Sequence, residues 1–239
     1  MPLLPVSMTL ISFVIFLFLY LIVIRVPIEP FYIRGLLFLV PCLFFAATTI
    51  LALLGKIQRH TATGISVFLI FFLLLFSFYH LFQMTMDAAT TVTTDVGRYE
   101  RILKEFDYPN NSKVSHFPEQ IPDEATDVRL RYNPAFFQGG EFFSLKYEIS
   151  SRSLEAQVEI LSREAKWVGY PGSEEAEALG ITSDFLYCWD NTGRTLPSDL
   201  EVYLLASRPY KPNDWNHGTH SLAAVSKETS EILFLFEAW

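Results

Sequence analysis

The sequence predicts an α+β protein in two parts: three N-terminal transmembrane helices, then a mostly antiparallel β-sheet domain with one long packed helix. Three features predict it. The first third of the chain holds three long apolar runs without a charged residue. Composition turns polar within a few residues of Met86. Beyond that point most apolar side chains alternate with period two, and two stretches follow the helical period. The expected boundary puts a membrane domain at 1–86 and a soluble domain at 87–239.

The membrane helices are expected at about 3–24, 36–54 and 65–84. A helix rises 1.5 Å per residue, so about 20 apolar residues cross a hydrocarbon core of about 30 Å. The first run reads as a membrane helix rather than a secretory signal. It lacks a basic leader, its apolar part is too long, and Val23-Ile24-Arg25-Val26-Pro27 does not fit a small-residue cleavage site. Pro27, Pro30, Phe31 and Tyr32 mark an interfacial first loop; Lys56, Arg59 and His60 mark the second. Each loop has two basic residues, so the positive-inside count ties. Thr48 and Thr49 read as helix-to-helix hydrogen-bonding groups, and His80 and Gln83 as an interfacial pair on one face. No Asp, Glu, Lys or Arg lies within a span and no broken helices recur, which argues against a transporter.

In the second part, Asp95 is placed to cap a helix whose stripe is Val96, Tyr99, Ile102, Leu103 and Phe106. Val128, Leu130 and Tyr132 alternate as a strand. Asn133-Pro134 and Gly139-Gly140 interrupt it before a second strand with Phe143, Leu145, Tyr147 and Ile149 on one face. An amphipathic helix follows, with Leu154, Val158, Leu161, Ala165 and Val168 spaced 4, 3, 4 and 3. Ser173 caps a short acidic helix closed by Gly180. Strands are then expected at about 184–189, 199–207, 219–226 and 230–238, with a turn at Lys227–Ser230 between the last two. Five or six strands with a helix inserted after the second make an antiparallel sheet with a helix on one face.

Residues 1–86 carry a local charge of +3 (Arg25, Arg34, Lys56 and Arg59 against Glu29), so with −8 overall the remainder carries −11. That acidity and the lack of a basic stripe argue against nucleic acid as a partner. Cys188 alone in the second part forms no disulfide there. His217 and His220, with His116 as a third ligand, are the one arrangement suggesting a metal; Gly218 and a strand starting at Thr219 point instead to a turn histidine and a strand histidine on different faces. Asp184, Asp190, Asp199, Asp214 and the Glu174, Glu175 and Glu177 group show no spacing that singles out a catalytic pair. No Gly-x-Ser-x-Gly elbow and no phosphate-binding glycine loop occurs. Phe136 and Phe137, beside Gln138-Gly139-Gly140, are adjacent aromatics that do not both face one core, so one is expected to be exposed.

Two stretches carry a resemblance. One is His116-Phe117-Pro118-Glu119-Gln120-Ile121-Pro122 with Tyr132-Asn133-Pro134-Ala135-Phe136-Phe137-Gln138-Gly139-Gly140. The other is Trp215-Asn216-His217-Gly218 with Ala224-Val225-Ser226, Glu231-Ile232-Leu233-Phe234, Glu237 and Trp239. Over about residues 98–239 the chain resembles an uncharacterised family of bacterial, mostly Gram-positive, membrane-anchored proteins and lipoproteins. The three helices depart from that family's short anchor. The resemblance implies an extracytoplasmic domain and brings no activity.

These readings predict a multi-pass membrane protein that presents a non-enzymatic binding or accessory domain at the cell envelope, without a cofactor. The expected partners are the lipid bilayer and a protein of the membrane or envelope. The expected surface joins Phe136, Phe137 and Gln138 with His116, Trp215 and His217. Two alternatives stand beside it: a metal-assisted hydrolase using His116, His217 and His220, and an accessory subunit of a larger membrane complex.

Overall fold

A computed structural model describes residues 3–136, 140–181, 196–209 and 217–239. The chain divides into two compact units, Met1–Ala89 and Thr90–Trp239.

In the first unit three helices are long and apolar enough to cross a membrane: Leu3–Arg25, Tyr32–Leu53 and Arg59–Thr90. The first is α1. The second begins as one turn, α2 (Tyr32–Gly35), tightens into a 3-10 turn over Leu36–Leu39 and continues as α3 (Val40–Leu53). Pro41 accounts for the tightening, because it has no N–H to offer the Leu37 carbonyl and the i to i−4 ladder is broken there. The third helix, α4 (Arg59–Thr90), runs six residues past the expected 65–84 at each end. Hydropathy marks the apolar part of a helix and not its ends, and no proline stops this one.

Gly35 lets α1 and the start of the second span approach closely: a Cβ there would lie 2.9 Å from both Tyr20 and Val23. Thr49 bonds across to Thr9 of α1 at 3.2 Å, whereas Thr48 turns back to the Phe44 carbonyl of its own helix. Gln83 donates to the Tyr79 hydroxyl at 3.3 Å, and the His80 ring packs edge-on against Phe76. Arg34 and Asp87 form an ion pair between α2 and the end of α4.

In the second unit Asp95 accepts a bond from the Gly97 amide at 3.0 Å, starting a 3-10 turn that leads into α5 (Tyr99–Glu105). Among the described residues six strands follow: β1 (Thr126–Asn133), β2 (Phe142–Glu148), β3 (Trp167–Gly169), β4 (Glu201–Arg208), β5 (Thr219–Ser226) and β6 (Glu231–Ala238). They form one sheet in the order β1-β2-β6-β5-β4-β3, with every neighbouring pair antiparallel. Helix α6 (Ser151–Glu164) lies between β2 and β3 in sequence, capped by the Ser150 hydroxyl; α7 (Glu174–Ala178) is capped by Ser173.

The long helix is shorter than its stripe. It ends at Glu164; Ala165 is extended, and Val168 belongs to β3 with its side chain 41% exposed. Trp167 and Gly169 pair with Leu204 and Val202, so the backbone bonds that would have continued the helix go to the sheet edge. The strand expected at 184–189 lies outside the described residues.

Both faces of the sheet are covered. On one, Phe143 is fully buried and stacked between Phe117 (4.5 Å) and Phe106 (5.6 Å), with Tyr99 and Tyr132 beside it. On the other, Phe142, Val202, Leu222, Leu233 and Leu235 pack against Ala176 of α7, Ile181 and Leu200. The sheet therefore carries α7 on the face left uncovered in the sequence reading. Ser144 and Lys146, placed by alternation opposite the apolar face, are themselves buried.

Asp199 holds the β5–β6 turn. Its carboxylate accepts bonds from Ser226 Oγ (2.7 Å), the Lys227 amide (2.7 Å) and the Glu228 amide (2.9 Å). Burial pushes its pKa up, but these donors outweigh burial and hold it below the ordinary value. Asp199→Ala is expected to cost about 1–2 kcal/mol, as loss of a capping carboxylate does. The aspartate's contribution is complete above its ordinary pKa and fades as pH falls through its depressed one, so the gap between variant and parent in unfolding denaturant concentration should narrow as pH is lowered below 4. A gap that stays constant there would assign the effect to packing instead.

Candidate functional site

The loops β1–β2 and β4–β5 leave the same end of the sheet. Asn133 is level with Phe142 and Glu237, and Arg208 with Thr219 and Ala238. The end of β6 runs between them. The Ala238 amide donates to the Glu141 carbonyl at 2.7 Å and the Trp239 amide to the Gly218 carbonyl at 3.2 Å. Gly140 is required by this approach, since a Cβ there would fall 2.0 Å from the Ala238 carbonyl oxygen. Gly140→Ala is expected to cost more than about 2 kcal/mol, read as a lower unfolding midpoint; an unchanged midpoint would mean the β1–β2 loop moves freely from β6.

Among the residues expected to form a binding surface, Phe136 and His217 both lie at this end. Phe136 is half-buried; His217 is exposed, in the left-handed region at φ 65°. Phe137, Gln138 and Trp215 lie outside the described residues. His116 does not join them. It sits on the Phe143 face against Phe117 and Phe234, with Nε2 3.2 Å from the Leu235 carbonyl oxygen. Burial drives its pKa down to about 4 despite that bond.

His220 occupies the opposite face of β5. Its neighbour Ser221 donates to the Lys113 carbonyl on the Phe143 side, while His220 Nε2 lies 2.9 Å from the Leu179 carbonyl oxygen on the other. Its ring rests on Trp239, 4.8 Å between centroids, and burial lowers its pKa to about 4. The three-histidine metal arrangement is therefore not assembled: His116 and His220 are on opposite faces, each held by a backbone carbonyl, and His217 is on a turn. The spacing of three that serves on a helix separates side chains on a strand.

Glu237 is the group the residue types alone did not pick out. It is level with Phe142 on one side and His220 on the other, on the same face, and burial raises its pKa to about 7. The signal was present in the alternation Leu233, Leu235, Glu237, which aims a carboxylate at an apolar face. A carboxyl near half-protonation beside a neutral imidazole is able to donate or accept a proton near neutral pH.

At the other end of the sheet Asp127, Glu148 and Glu231 converge, their ligand oxygens within 4.8 Å of one another. Carboxylate oxygens suit a hard cation in kind. Two of the three are already paired with side-chain cations: Arg129 binds Asp127 at 2.8 and 3.2 Å, and Lys146 pairs with Glu231.

Compared with protein families, curated proteins and solved structures, the chain has no match in any of the three.

Proposed function

We propose that this chain is a multi-pass membrane protein whose second unit is a non-enzymatic binding or accessory domain, displayed on the extracytoplasmic side of a cell envelope. The observation that carries the reading is that β1–β2 and β4–β5 are joined at the same end of the sheet, where Phe136 and His217 lie. Loops raised together from a rigid sheet are where recognition residues concentrate. Two of the three histidines that a hydrolase would use, His116 and His220, lie on opposite faces within reach of backbone carbonyls, and His217 is on a turn. The three apolar helices supply the anchor, and the resemblance to bacterial membrane-anchored proteins favours the outer side. The lipid bilayer and a protein of the membrane or envelope are the partners this requires; nucleic acid is not among them.

Side and surface are tested separately. With a C-terminal tag on the full chain, protease added to intact cells is expected to remove the tag; a tag protected until lysis would put the domain in the cytoplasm and end the envelope reading. Phe136→Ala is expected to change unfolding free energy by less than about 1 kcal/mol while reducing the partners captured by crosslinking in intact cells. A loss of about 3 kcal/mol or more would make Phe136 a core residue and remove it from the surface.

A further inference from the structure

We propose that the first unit holds one alkyl chain of a bilayer lipid in the groove between α1, α3 and α4, an inference that rests on the membrane reading above. The groove has a volume of about 350 Å³. Its wall on α1 runs from Met8 to Leu19 and its wall on α4 from Ile70 to Leu81, with Phe38, Pro41 and Phe45 closing the third side. Each long wall is eleven helical rises, about 16 Å.

Depth settles what reaches it. Both walls are centred in their apolar segments, one or more turns inside Arg25 and Asp87, so at that level the surroundings are hydrocarbon. Chemistry settles what it recognises. Ser12 and Ser77 are the polar members of the lining, and Ser12 already donates to the Thr9 carbonyl at 3.1 Å. Water needs two to four polar partners and is not held in such a space.

Width separates a lipid tail from a partner helix. The volume spread over the wall length gives a mean cross-section of about 22 Å². A polymethylene chain, with carbon contacts at about 3.5–4.0 Å, needs about 20 Å². A helix with its side chains is about 10–12 Å across and needs several times more. The mouth faces outward between α1 and α4, where Ile15 is 48% and Leu74 61% exposed, so a tail enters sideways from the bilayer. Inside, it gains contacts on three sides where an ordinary annular lipid has one.

The test uses the full chain in phosphatidylcholine vesicles containing a small fraction of phosphatidylcholine with a diazirine at mid-chain. After photolysis, adducts are mapped by peptide mass spectrometry. Adducts at Ile15, Leu74 and Ser77 are expected to exceed those at Leu43, Phe71 and Leu75, which are 57%, 69% and 72% exposed, by several-fold. Ser77→Trp and Ile15→Trp, which fill the groove from opposite walls, should each remove the excess. Even labelling of all six positions in the parent chain would show bulk lipid only and overturn the site. Chain-to-chain adducts at the groove would make it a helix interface and overturn it too. Failure of the chain to float with the vesicles would defeat the membrane reading itself, a result distinct from floating chains with even labelling.

Discussion

Lowering the pH from 6.5 to 4.5 is expected to cost the second unit about 2 kcal/mol of stability. Three groups set the slope. His116 and His220 are buried neutral with pKa values near 4, against about 6.5 in an unfolded chain. Their contribution is complete above pH 6.5 and is lost as pH falls toward 4, because the unfolded chain takes up two protons that the folded one refuses. Glu237 works the other way. Its pKa is raised to about 7, so its stabilising effect is present below about 4.5 and is lost as pH rises toward 7. Across the shared window the balance is one net proton, about 1.4 kcal/mol per pH unit.

The balance makes the variants diagnostic. His220→Gln keeps a donor for the Leu179 carbonyl and removes one titration, so the slope should flatten. Glu237→Gln removes the opposing group, and the slope should about double. All four tryptophans (Trp167, Trp189, Trp215 and Trp239) lie in the second unit, so denaturant titrations of the full chain in detergent, followed by tryptophan fluorescence, report that unit alone. Parallel pH dependence in all three proteins would show that these side chains reach water in the native state.

Lys146→Met is expected to cost 3–5 kcal/mol, the usual cost of removing one member of a buried ion pair. The two side chains of the Lys146–Glu231 pair are 5% and 11% exposed, on the face where β2 meets β6. Without the ammonium, Glu231 keeps only the Thr229 hydroxyl at 2.6 Å and faces Asp127 and Glu148. Replacing both members, Lys146→Met with Glu231→Leu, should recover most of the loss, since an apolar pair of similar volume no longer strands a charge. The double-mutant cycle, read by the same unfolding assay, gives the coupling directly. A single variant within 1 kcal/mol of the parent would mean that the pair is open to solvent, contrary to its burial.

Much of the architecture was legible because it is local. The three spans follow from runs such as Phe13–Leu19 and Phe68–Phe76, and hydrocarbon thickness makes no demand beyond length. β1, β2 and β6 follow from alternation, and Asp95 and Ser173 act at the helix starts where such residues satisfy free amides. Errors fell where two periods coincide or where a partner is remote. Val168 continued the α6 stripe because one apolar residue at the end of a run fits either period; only the pairing of Trp167 with Leu204 took it out of the helix.

The candidate site was half legible. Adjacent aromatics beside glycines pointed to Phe136, and the sheet brings Phe136 and His217 to one end. His116 was grouped with them by residue type, yet it packs on Phe117 and Phe234 beneath the sheet. The sequence by itself determined the membrane spans, the periods of the main strands and the helix starts, because each depends on neighbours within a few residues. Only the tertiary structure decided that β6 lies between β2 and β5, which face Lys146 and His220 occupy, and where Glu237 is buried. Those outcomes depend on registers such as Ser144 with Leu235 and Leu222 with Leu235, where both faces must be filled at once and a slip of one residue would turn every side chain over.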